Sequence, residues 1–112
     1  DKPERYSYKA IRLLLDCGHT VIPVHPTLAR VCGLPVAASL AAVTGPVDTL
    51  TMYVGPAIST PLADAILRLR PGRVVFNPGS ENAQLETILM AQNIPCEHAC
   101  TLVLLRTGQF GF

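Results

Sequence analysis

Apolar residues in this chain fall into short runs punctuated by proline and glycine, and their spacing switches between helical and extended. Ile11, Leu14 and Leu15 share a helical face and predict a helix over 7–18, stopped by Gly18. Val21, Ile22 and Val24 read as a short strand closed by Pro26. Gly33-Leu34-Pro35 marks a crossover loop, and the alanine-rich piece from Ser39 to Val43 reads as one short helix. A second strand runs from Thr49 to Val54 and ends at Gly55-Pro56. Thr60-Pro61 predicts a helix start, a capping hydroxyl with proline at the first helical position. Leu62, Ala65, Ile66 and Leu69 then line one face. Pro71-Gly72 ends that helix, and Arg73 to Phe76 reads as a third strand leading into Asn77-Pro78-Gly79. A helix from Ser80 or Asn82 turns Leu85, Ile88 and Leu89 inward. Ile94 to Glu97 reads as a weak strand, and Cys100 to Leu105 as a last helix or strand.

This alternation predicts an α/β domain, an open parallel sheet with helices on both faces. At 112 residues the chain is read as a single domain, 1–112. With 49% hydrophobic and 15% charged residues it can bury a core. The net charge of +1, with nine scattered basic residues, gives no field for nucleic acid. No apolar run reaches a membrane span, because Gly33, Pro35 and Ser39 interrupt the longest one. No signal peptide is visible at Asp1-Lys2-Pro3-Glu4-Arg5. Cys17, Cys32, Cys96 and Cys100 lack the spacing of a disulfide scaffold or a zinc site, so buried, reduced thiols in a cytoplasmic protein are expected, with no metal.

Three stretches carry candidate chemistry. Arg5 and Ser7 lie at the predicted start of the first helix, where unpaired amides and a guanidinium favour phosphate; a cap beside a solvated arginine explains the same residues. His25 and Pro26 end the first predicted strand, and Val54, Gly55 and Pro56 the second, at the edge where open α/β sheets bind ligands. Asn77, Gly79 and Asn82 belong to the third strand exit, where a helix cap accounts for them equally well. Catalysis finds little support. There is no Gly-x-Ser-x-Gly elbow, and Glu81 is a single carboxylate, so a binder is expected over an enzyme.

In their order and spacing, Arg5-Tyr6-Ser7, Gly18-His19, Val24-His25-Pro26, Val54-Gly55-Pro56 and Asn77-Pro78-Gly79-Ser80-Glu81-Asn82 resemble the small stand-alone CoA-binding proteins of Rossmann type. These are relatives of the nucleotide-binding domain in the succinyl-CoA synthetase alpha subunit. The resemblance implies non-catalytic binding of CoA or an acyl-CoA. Arg5 and Ser7 would meet the phosphates, Val54 and Pro56 the adenine side, and Gly79 with the following amides the pantetheine or acyl group. His25 departs from the family's Val-Asn-Pro, and His19 is expected to cap the helix rather than do chemistry. Such a domain opens on an aliphatic strand and a Gly-rich turn, which do not precede the first helix here; a truncated N-terminal strand is the expectation.

Two other readings compete. An NAD or NADP domain needs a Gly-x-Gly-x-x-Gly turn and an acidic residue where His25 stands. A ligand-free structural or interaction module would hide an apolar surface, and Leu102 to Leu105 with Phe110 suggest a homodimer on that ground.

Overall fold

The computed structural model describes residues 3–25 and 29–110, with the side chains of 3–6 outside the description. The chain divides into two units, Asp1–Val43 with Thr101–Phe112, and Thr44–Cys100.

In the first unit, helix α1 (Pro3–Asp16) packs against helix α5 (Thr101–Arg106). Proline is tolerated at a first helical position, so α1 starts at Pro3, four residues before the expected start at Ser7. Its end is a Schellman closure. The Gly18 amide donates to Leu15 O at 3.0 Å and the His19 amide to Leu14 O at 3.0 Å, with Gly18 at φ +87°. The His19 ring also meets Phe110 edge-on, 5.2 Å between centroids. Val21 to Val24 does not form the expected strand; a single parallel bridge joins Val24 to Ala37. Pro23 offers a carbonyl but no amide; its O accepts the Ala37 N–H at 2.9 Å, and the His25 N–H donates to Ala37 O at 3.0 Å. A hairpin that the sequence reading did not anticipate pairs β1 (Arg30–Val31) with β2 (Leu34–Pro35). Cys32 (φ +53°) and Gly33 (φ +79°) form its tight turn, both left-handed as such turns demand. The alanine-rich piece makes only a 3-10 turn, Leu40–Ala42.

The second unit holds a three-stranded parallel sheet, β3 (Thr49–Met52), β4 (Arg73–Phe76) and β5 (Cys96–His98), in that order. The helix after β3 begins at Pro56, not at Thr60. It runs as α2 (Pro56–Ser59), a 3-10 turn (Thr60–Leu62) and α3 (Ala63–Leu69). Gly55-Pro56 already supplies a start, and Pro61, lacking an amide and crowding the carbonyl of Ala57, breaks the α-helical ladder mid-course. Helix α4 (Ala83–Ala91) follows β4 and packs on α3 and β5. Val74, Val75 and Phe76 are wholly buried, so both faces of the central strand are covered, as a parallel sheet requires. Ile66, Leu85 and Leu89 complete this core. Arg73 ties the amino-terminal edge together, with Nε donating to Thr49 Oγ1 at 3.0 Å and Nη1 to Glu97 Oε1 at 2.7 Å.

Two expectations about side chains change. None of the four cysteines is fully buried and Cys17 is exposed; all four are free thiols. Leu102 and Phe110, two of the residues behind the dimer expectation, are buried within the chain, while Val103 is exposed. Among the described residues no helix is long and apolar enough to cross a membrane.

Candidate functional site

Register brings the strand exits to one level. Met52 pairs with Phe76, and Phe76 with His98, so all three strands of the second unit end on the same line. The ladder then runs one step further, with the Asn77 amide donating to Met52 O (3.2 Å) and the Ala99 amide to Phe76 O (3.2 Å). The carboxyl edge of the sheet is therefore built from Tyr53 to Pro56 on one side and Asn77 to Asn82 on the other.

At the β3 exit Val54 is half-buried and Pro56 exposed. Gly55 caps α2 without a side-chain bond; its carbonyl accepts the amides of Ile58 and Ser59. At the β4 exit Asn77 is buried and its Nδ2 donates to Met52 O at 3.0 Å, which clamps the two exits together. Ser80 Oγ donates to Asn77 O at 2.8 Å and braces the turn at Gly79, where φ is +91°. Asn82 caps α4, its Oδ1 accepting the Leu85 amide at 3.0 Å. Its Nδ2 reaches across to Ser59 Oγ at 2.8 Å and Thr60 Oγ1 at 2.9 Å. The sequence pattern marks Thr60 only as the N-terminal cap of a helix, which it is not, and gives Ser59 no role. Ser59 and Thr60 lie 23 and 22 residues from Asn82, and no local pattern signals that partnership.

Three of the amides after β4 already have acceptors. The Gly79 N–H donates to Glu81 Oε1 (3.0 Å), that of Ser80 to Asn77 O (2.9 Å), and that of Asn82 to Glu86 Oε2 (3.1 Å). A ligand meeting the Gly79 amide must exchange with the exposed Glu81 carboxylate. Glu86 also holds His98, Nε2 to Oε1 at 2.7 Å, at the end of β5.

Charge is one-sided around this edge. Segments 31–67 and 74–105 contain no lysine or arginine, while Glu81 and Glu86 stand at the β4 exit. Arg68, Arg70 and Arg73 lie before or at the start of β4, at the opposite end of the strand from its exit. These two segments therefore offer a phosphate no cation of their own. Among the described residues no group of three His, Cys, Asp or Glu side chains could hold a metal ion.

In the first unit Arg5 falls in the first turn of α1 and Ser7 at the start of the second, so Ser7 is not the cap; its amide is not among the orphan donors of the helix start. The side chain of Arg5 lies outside the described residues, as does Pro26. His25 is half-buried, its amide donating to Ala37 O at 3.0 Å.

Burial, and next the negative charge of Glu86, push the Cys96 thiol up to about 11 from its ordinary 9.0. The native state thus keeps this proton where the unfolded chain loses it. The neutral thiol's contribution is complete below about pH 9 and lost as pH rises toward 11. Comparing urea midpoints at pH 8 and 10.5, the loss between them is expected to be smaller in Cys96→Ala than in the unchanged chain. Equal losses would mean that Cys96 is not the group titrating.

The family described as CoA binding domain matches residues 1–106. An uncharacterized protein of solved crystal structure superposes with a TM-score of 0.88 at 39% identity, over 97% of this chain and 89% of that one. A Thermus thermophilus protein gives 0.86 at 28% identity, over 98% and 84%. A hypothetical protein from Pyrococcus horikoshii OT3 gives 0.85 over 98% and 78%; at 18% identity it speaks for the fold alone. The uncharacterized protein YneT of Bacillus subtilis is 32% identical over 53 residues, which are 47% of this chain and only 39% of that protein's length. The Rossmann-like α/β fold expected from the sequence is thus the fold of its structural neighbours.

Proposed function

This chain belongs to the CoA-binding domain family, and from that premise we propose that it binds CoA or an acyl-CoA without transforming it. The observation that supports this reading is the division of charge at the strand exits. Val54, Gly55 and Pro56 bring an uncharged turn beside Asn77 and Gly79, with no cation in either segment. Such an edge fits the amides and thiol or thioester of the pantetheine arm, which moves Val54 and Pro56 to that arm from the adenine side that the resemblance implies. A diphosphate needs cations, and Arg5 with Ser7 take the phosphate part that the family resemblance assigns them. His25 and Pro26 enter on the same resemblance.

Thermal melts with CoA, acetyl-CoA, NAD and ATP test this reading. CoA or acetyl-CoA at 100 times its dissociation constant is expected to add about 2.7 kcal/mol of stability, several degrees in midpoint. NAD and ATP, which lack the pantetheine arm, are expected to shift the midpoint less. A shift with NAD alone would favour the dinucleotide alternative, and no shift with any of the four would reject ligand binding of this class.

A further inference from the structure

We propose that Asn82, rather than touching ligand, is the positioning residue that sets how the β3 and β4 exits face each other, and through them the hold on the pantetheine arm. The inference rests on the CoA reading above. Asn82 is 4% exposed and Ser59 is wholly buried, so their bonds are shielded from water. Both Nδ2 protons are committed, to Ser59 Oγ and Thr60 Oγ1, and Oδ1 holds the Leu85 amide. One side chain therefore anchors the start of α4 and grips the helix that leaves Gly55-Pro56 at its first turn. The second clamp, Asn77 Nδ2 to Met52 O, fixes the strand ends, and the Asn82 bonds join the segments beyond them. Loops that carry ligand-facing backbone gain affinity when their geometry is set before binding.

The partner hydroxyls allow a clean test, since removing them leaves the α4 cap intact. The double variant Ser59→Ala with Thr60→Val is compared with the unchanged chain by calorimetric titration, well below either melting midpoint. The ligands are CoA and adenosine 3′,5′-bisphosphate, which carries the nucleotide but not the pantetheine arm. CoA affinity is expected to fall about tenfold, about 1.4 kcal/mol, while that of the bisphosphate changes less than about twofold. General loosening of the fold would lower both alike. Asn82→Ala is expected to show the same selective loss, and adding it to the double variant to cost little more for CoA. Asn82→Asp, whose oxygens cap α4 and accept from the two hydroxyls turned to donate, is expected to restore most of the affinity. Equal losses for both ligands, an unchanged CoA affinity in the double variant, or additive losses would overturn the positioning role. If the unchanged chain binds no CoA at all, the functional reading itself fails, a separate and recognisable outcome.

Discussion

Replacing Phe76 by alanine is expected to lower the thermal midpoint by about 12–20 °C, the largest single effect in the chain. Phe76 is wholly buried at the end of the central strand and meets the His98 ring edge-on, 6.3 Å between centroids. Truncating a buried phenylalanine costs about 3–5 kcal/mol, part transfer and part cavity. A domain of this size has only about 5–15 kcal/mol in total, and each kcal/mol is worth about 4 °C. The neighbours cannot close the gap easily, because Val74 and Val75 are held in register by strands on both sides. A cooperative melt of Phe76→Ala within about 4 °C of the unchanged chain would show that the ring is not packed as described.

Gly72→Val is expected to cost about 3 kcal/mol, at the upper end of ordinary overpacking. The reason is close approach. A Cβ on Gly72 would stand 2.7 Å from Asp48 O, a backbone atom that accepts the next amide, that of Arg73, at 3.0 Å. Neither side can yield without pulling apart the first rungs of the β3–β4 ladder. Gly79→Ala makes a useful contrast. Gly79 has open space around it but a φ of +91°, so its cost is conformational, about 1–2 kcal/mol. Urea unfolding of both variants checks the difference; a Gly72→Val protein no less stable than Gly79→Ala would contradict the steric account.

The central strand was legible residue for residue, Arg73 to Phe76, because a fully buried parallel strand has no polar alternation and proline and glycine flank it on both sides. The cap of α4 was legible to within two candidates, Ser80 and Asn82, since a cap is a local bond between neighbours in sequence; the structure selects Asn82. Helix starts were less so. Pro56 and Pro61 both satisfy the rule for a first helical position, and so the sequence admitted the later one. Val21 to Val24 had the side chains of a strand, but a ladder also requires a partner and amides, and Pro23 withholds one.

The candidate site divides in the same way. The sequence alone determined the exits of β3 and β4, where glycine and proline permit a turn, though not that of the strand expected before Pro26, and that segments 31–67 and 74–105 hold no cation, because these are properties of the chain's order and composition. Only the tertiary structure decided that Asn82 grips Ser59 and Thr60, that Glu81 and Glu86 occupy two of the amides after β4, and that burial beside Glu86 keeps the Cys96 thiol neutral. Except for Glu81 on Gly79 and Glu86 on Asn82, these pairings join groups ten or more residues apart. Which donor meets which acceptor is set there by register and helix packing, distances that a one-dimensional pattern does not carry.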